Sequence, residues 1–182
     1  MRRIDISEFE LREMDYEEWR VDVTARTHRN EEEWRRMMET KPKLRTYRSL
    51  KTDLKPEKYL EIDDRRLRKW IVRLRSGTNR LRIETGRWKD EEIEDRKCMY
   101  CDEVEDERHF VISCKMNEIA RSMIKDEIKE MNDDEMFEYI LGGFANEDIQ
   151  QGVVIAEYLK RSWRVRTEYL KKKEIVEKMR KE

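Results

Sequence analysis

Residues 96–114 read RKCMYCDEVEDERHFVISC, and this stretch decides how the middle of the chain folds. Cys98 and Cys101 stand three apart, with Met99 and Tyr100 between them; His109 follows after seven more residues and Cys114 after a further four. Zn²⁺ takes four nitrogen or sulfur ligands in a tetrahedron, and thiolate and imidazole suit it. A Cys-x2-Cys turn brings two sulfurs to one side of the chain. If a helix starts after Glu105, His109 and Cys114 lie near one of its faces, one to one and a half turns apart. The spacing predicts a zinc knuckle over 98–114, turn plus helix, with Cys98, Cys101, His109 and Cys114 as ligands. All three cysteines of the chain belong to this motif, and the other histidine, His28, is remote in sequence. A Cys98–Cys101 disulfide is the alternative, and a reduced compartment disfavours it. Four protein ligands leave no open position for water, so the expected ion is structural.

The surroundings explain why an ion is needed there. Residues 90–107 hold ten acidic residues against two basic ones, a composition with little to bury. Zinc binding supplies on the order of 10 kcal/mol to small modules, enough to offset missing apolar contacts. Across all 182 residues, 37% are hydrophobic and 47% charged, which predicts a thin core under a charged surface. Five Trp, seven Tyr and four Phe supply large apolar anchors, so the chain is not compositionally disordered. Only two Pro and five Gly interrupt it, and Glu, Lys and Arg favour helix. The expected fold class is all-α, a helical domain with a central structural zinc knuckle.

Periodicity places the helices. Ser7-x-x-Glu10 forms a capping box, and Phe9, Tyr16, Trp19 and Val23 form one stripe to about Thr27. Asn30 caps a second helix, and Pro42 stops it. Residues 43–60 carry no period and read as irregular. Asp63 or Asp64 caps a helix with the stripe Leu67, Ile71 and Leu74, ended at Ser76-Gly77. Helix and strand are both open for 81–88. Met116, Ile119, Met123, Ile128 and Met131 mark one helix over 114–131. Asp133 and Asp134 start a short helix closed at Gly142-Gly143. A last helix starts near Asn146, with the stripe Ile149, Val153, Ala156, Leu159, Trp163 and Leu170, and frays beyond about 171. The expected division is an N-terminal helical pair over 1–42, a central segment over 43–121 and C-terminal helices over 122–182.

Several functional classes are disfavoured. No apolar run is long enough to cross a bilayer, so no membrane partner is expected. The start, MRRIDISEFE, lacks the apolar segment of a signal peptide. The expected location is intracellular, nuclear or cytoplasmic, rather than secreted. No Gly-rich phosphate loop and no Ser nucleophile motif is present, so no enzyme is expected.

The net charge of −1 hides blocks. Residues 65–89 hold ten basic residues and one acidic, and 160–181 hold ten basic and three acidic. Basic residues interleaved with Trp70 and Trp88 are what nucleic-acid binding needs, charge for phosphates and rings for bases. A solvated helix face, or masking of the basic block by the acidic one at 90–107, remains open. The Met-rich stripes (Met116, Met123, Met131, Met136) read most simply as core, with a helix-binding groove as the alternative.

Several of these residues stand in a recognisable order. Arg45-Thr46-Tyr47 and Lys51-Thr52 come first, then Leu74-Arg75-Ser76-Gly77-Thr78-Asn79-Arg80-Leu81 and Glu84-Thr85-Gly86-Arg87-Trp88. Arg96-x-Cys98-x2-Cys101, Glu105-Asp106-Glu107-x-His109-Phe110 and Cys114 follow. Over about residues 43–121 the chain resembles the C-terminal region of reverse transcriptases from non-LTR (LINE-type) retrotransposons. In that family the segment lies downstream of the polymerase domain and is zinc-binding and nucleic-acid-associated. The family's polymerase motif, aromatic-x-Asp-Asp, is missing; Glu61-Ile62-Asp63-Asp64 has Glu where the aromatic belongs. No Pro-Asp pair stands after the zinc motif either, where some relatives carry a nuclease motif. The resemblance implies a fragment or repurposed descendant that binds RNA or DNA without catalysis. Arg73, Arg75, Arg80, Arg82 and Arg87 would hold phosphates and Trp88 would stack on a base. The alternative is a protein-interaction or scaffold module, with a protein partner or a homo-oligomer. A remnant with no selected role is the third reading.

Overall fold

The computed structural model describes residues 30–142 and 149–180. The first helix, with its capping box and its stripe at Phe9, Tyr16, Trp19 and Val23, lies outside the described residues, as do Gly143 and Asn146. The chain divides into two compact units, 1–42 and 43–182. In the first, residues 30–39 are helical, and the helix stops short of Pro42. The second unit runs on through 121 without a further division, because its last helix packs against elements on both sides of that point.

The described residues are largely helical, as an all-α fold requires, and they contain no strand; one isolated antiparallel bridge joins Lys97 to Val104. Helix α1 spans Arg45–Leu50, inside the stretch expected to be irregular. Helix α2 spans Arg65–Arg75, with Asp64 as N-cap accepting from the Arg66 N–H. Gly77 follows in the left-handed conformation at φ 61°, and a Cβ there would meet the Lys43 carbonyl oxygen at 2.1 Å. Helix α3, Arg82–Arg87, resolves the open choice over 81–88 in favour of helix.

The single helix expected over 114–131 is broken into turns. A 3-10 turn at Lys115–Asn117, α4 at Glu118–Arg121, a 3-10 turn at Ser122–Ile124 and α5 at Lys125–Ile128 replace it. Ala120, Ile124 and Ile128 all reach the core, spaced four apart as on one helix face. Helix α6, Asp133–Leu141, starts at a capping box formed by Asn132 and Glu135.

Helix α7, Ile149–Met179, is about 46 Å long at 1.5 Å per residue. Its buried side is Gly152, Ile155, Ala156, Tyr158, Leu159, Ser162 and Arg166, so the predicted stripe is partly displaced. Ile149 is exposed, while Trp163 packs at the core edge. The charged tail remains helical to Met179, with Glu174 and Lys178 paired at 2.8 Å one turn apart.

The core gathers Leu67, Ile71 and Leu74 of α2, Phe110, Val111 and Ile112 beside His109, and Ile155, Ala156, Tyr158 and Leu159 of α7. The Tyr158 hydroxyl donates to the Val111 carbonyl at 2.6 Å, tying α7 to the segment that carries His109. Burial pushes the phenols of Tyr47, Tyr59 and Tyr158 above the usual tyrosine range, Tyr59 to about 12. A phenol whose folded pKa is raised stabilises the fold below its unfolded value, near 10, and that contribution disappears as pH rises through the folded value. Alkaline unfolding is therefore expected between about pH 10 and 12. Tyrosinate absorbance near 295 nm and helical circular dichroism should change together there; full ionisation with the helix intact would contradict it.

Candidate metal centre

The Cys98–Cys101 turn is closed by short backbone bonds. The Asp102 N–H donates to the Cys98 carbonyl at 3.0 Å, and the Cys98 N–H donates to the Glu103 carbonyl at 2.7 Å. Asp102 sits in the left-handed region at φ 59°, which Asp tolerates better than most residues. The Tyr100 and Cys101 backbone groups hydrogen-bond to Cys98, helping to hold its thiol far below its ordinary range.

The second half of the site is not the α-helix expected. His109–Ser113 is a single π-helical turn, closed by the Cys114 N–H donating to the His109 carbonyl at 2.8 Å. On an α-helix, positions five apart point about 140° away from each other. The wider turn brings His109 and Cys114 back to one side, and such turns concentrate at functional sites. Asp106 caps it, its carboxylate accepting from the His109 N–H at 2.7 Å. Arg121 donates to the Cys114 carbonyl at 3.0 Å and Asn117 to the Phe110 carbonyl at 2.8 Å. These bonds satisfy carbonyls that the turn leaves without helical partners.

The outcome is a cluster. One ligand atom each from Cys98, Cys101, His109 and Cys114 lies within 4.8 Å of the others, and the Cys101 and Cys114 sulfurs are 3.9 Å apart. Two sulfurs on one tetrahedral ion at 2.3 Å sit about 3.8 Å from each other. His109 Nδ1 lies 3.0 Å from Glu103 and 3.2 Å from the Ser113 hydroxyl, while its buried Nε2 has no hydrogen-bond partner in the protein. An orphaned imidazole nitrogen beside three thiols, with its other nitrogen held by a carboxylate, is the arrangement that orients a metal-ligating histidine. The residues present thus fit a metal ion. The Cys114 hydrogen bond holds the Cys98 thiol down near 3 against the opposing effect of burial. The same bond to Cys98, with burial, pushes Cys114 up. Burial lowers His109, but its contacts with Cys98 and Glu103 outweigh that and raise it.

Glu103 escaped the sequence reading, since an exposed Glu in an acidic run carries no local signal. So did the buried ion pairs behind the cluster. The Glu107 carboxylate is 1% exposed and accepts from Arg45 at 2.6 and 2.8 Å, Asn79 at 2.8 Å and Thr46 at 3.2 Å. Glu105 takes both Nε and Nη2 of Arg166 at 2.7 Å and the Arg82 N–H at 2.8 Å. Glu84, fully buried, joins Arg45 and Arg87, each at 2.6 Å. The acidic stretch 90–107 therefore does bury part of itself, by pairing. Glu105, Asp106 and Glu107 lock the ligand-bearing turn to α7, to the turn itself and to α1. Gly86 belongs to the same framework: a Cβ there would meet Arg96 Cγ at 2.5 Å.

Of the six residues expected at a nucleic-acid surface, Arg73 and Arg80 line one cleft, while Arg75, Arg82, Arg87 and Trp88 are not in its lining. Arg75 is fully buried; it reaches Glu57 and the Leu141 carbonyl, with its guanidinium over the Tyr47 and Tyr59 rings. It belongs to the core and leaves the phosphate-binding set. Arg82 pairs with Glu91 and Arg87 with Glu84. Trp88 is 62% exposed. Arg73 and Arg80 are exposed, and among the described residues no carboxylate lies within ion-pair distance of either. Of these six residues, only Arg82 pairs with the acidic block.

Models of known families, curated proteins and solved structures give no match to this chain. Among the described residues, no helix is long and apolar enough to cross a membrane.

Proposed function

We propose that this chain is a non-catalytic binding module whose knuckle, residues 98–114, is fixed by one structural zinc ion and whose basic face takes RNA or DNA. The observation that carries the zinc assignment is His109: its Nε2 is buried without a partner beside three thiols while Glu103 holds its Nδ1. Three sulfurs and one imidazole favour zinc over hard cations, which take oxygen ligands. Four protein ligands leave no position open for substrate.

The basic face lies on α2. Arg65, Arg66, Lys69 and Arg73 are exposed, and at 100° per residue they fall within about 100° of arc. With Arg80 they form a set that the acidic segment does not neutralise. Filter binding of a single-stranded oligonucleotide across a salt series tests this. With four to five phosphate contacts, log K should fall with log salt at a slope of about −3. No affinity at low salt, or affinity independent of salt, removes the nucleic-acid assignment.

Exposed Ile175, Val176 and Met179 on the last turns of α7 favour a second reading, a protein-interaction module or homo-oligomer. Light scattering on the eluting chain separates the two: a stable oligomer with no mobility shift on added oligonucleotide supports the second.

A further inference from the structure

We infer that the cleft between α2 and α7, lined by Trp70, Arg73, Thr78, Arg80 and Trp163, holds one unpaired base of a single-stranded nucleic acid, with its flanking phosphate on Arg73 and Arg80. This rests on the nucleic-acid reading above and gives that reading a site. The cleft measures about 280 Å³. That is just below the roughly 300–1,000 Å³ of pockets for drug-sized molecules, so it suits one small planar group. Its walls combine the two chemistries a nucleotide needs. Trp70 and Trp163 stand 5.6 Å apart at 38°, and both are only partly buried. The Arg73 guanidinium lies 5.4 Å from the Trp70 ring centre. No carboxylate lines the cleft.

The approach to it is directional. Arg65, Arg66, Lys69 and Arg73 run along one side of α2, and Trp70 borders that stripe. A strand whose phosphates follow the stripe arrives at the cleft with a base free to turn in. A duplex cannot use it, because its bases are stacked on one another and shielded. Sequence-tolerant binding of single strands works by this combination of a basic track and an aromatic platform. Trp88, exposed at the C-terminal end of α3 next to the paired Arg87, does not line the cleft.

The test compares three probes on the zinc-loaded full chain: a single-stranded oligonucleotide, the same backbone with abasic sites, and a nucleoside monophosphate. Loss of the bases is expected to weaken binding about 5- to 150-fold, the range for stacking of a base on an aromatic side chain. Arg73→Ala with Arg80→Ala, both at exposed positions, should leave melting unchanged and lower the salt slope by about 1.4. Trp70→Leu should abolish the preference for bases over abasic backbone. Equal affinity for abasic and intact strands overturns the cleft but leaves salt-dependent binding standing. A monophosphate that binds as tightly as the strand overturns the strand assignment in favour of a free nucleotide. If no probe binds at low salt, the nucleic-acid reading itself fails, and the cleft with it.

Discussion

Chelation of the zinc-loaded chain is expected to lower its melting temperature by about 10 °C or more and to release one zinc per chain. Zinc gives small modules on the order of 10 kcal/mol. This unit has a core of its own, so only part of that figure applies. A third of it, at about 2–4 °C per kcal/mol for a chain of this size, gives roughly 10 °C. The physical reason lies in His109 and the three thiols. With the ion gone, the buried Nε2 of His109 has no partner, and a buried unsatisfied polar group costs about 1–3 kcal/mol. The π turn is also left without the ligand bonds that hold its two ends on one ion.

The opening should be local before it is global. Met99 and Tyr100 of the knuckle contact α7: the Tyr169 hydroxyl donates to the Met99 carbonyl at 3.2 Å, and the Tyr100 and Tyr169 rings meet edge to face at 5.3 Å. Amide exchange at Asp102 and Cys114, whose N–H groups close the two turns, should accelerate most. Cys114→Ser should reproduce the effect without chelator, since oxygen is the poorer ligand in a sulfur-rich site. A melting curve and exchange pattern indifferent to chelator would sink the assignment.

What the sequence makes legible follows from how local each signal is. The four clustered residues are readable because a Cys-x2-Cys turn and a His–Cys pair lie within one stretch of 17 residues. Helix α2 is readable because Asp64, the Leu67–Ile71–Leu74 stripe and Gly77 all act within it. Helix α1 is not, because Arg45 and Thr46 are held by Glu84 and Glu107, far along the chain. The π turn is hidden for the same reason: the tertiary site selects a register of five over the α-helical four. Arg75 misleads most. Among ten basic residues it looks like surface, and only Glu57, Leu141 and two tyrosine rings, remote in sequence, make its burial possible. The polar motif residues Asn79, Glu84, Glu105 and Glu107 supply framework rather than contact surface, since all four are buried.

That framework leads to the second large expected effect. Glu107→Ala is expected to destabilise the unit by about 3–5 kcal/mol, the range for removing one partner of a buried ionic network. Arg45 contributes only part of this, because its side chain is 30% exposed and water screens the charge left behind. It also keeps Glu84 at 2.6 Å. The larger share comes from Asn79 and Thr46, both buried, which lose their acceptor, at about 1–3 kcal/mol for each orphaned group. Glu107→Gln should therefore fall between the parent and Ala, since one amide oxygen still accepts from Asn79 or Thr46. Thermal melts of the two variants, each with Arg45→Met as the other arm of a double-mutant cycle, separate ion pairing from hydrogen bonding. A small coupling to Arg45 with a large loss in Glu107→Ala is the expected pattern. Because Glu107 lies two residues before His109, the same variant should also weaken zinc retention, read by competition with a chromogenic chelator. Melting unchanged in Glu107→Ala would mean that the buried carboxylate is a passive filler, and that the zinc turn is held to α1 by something other than the pairs that converge on it.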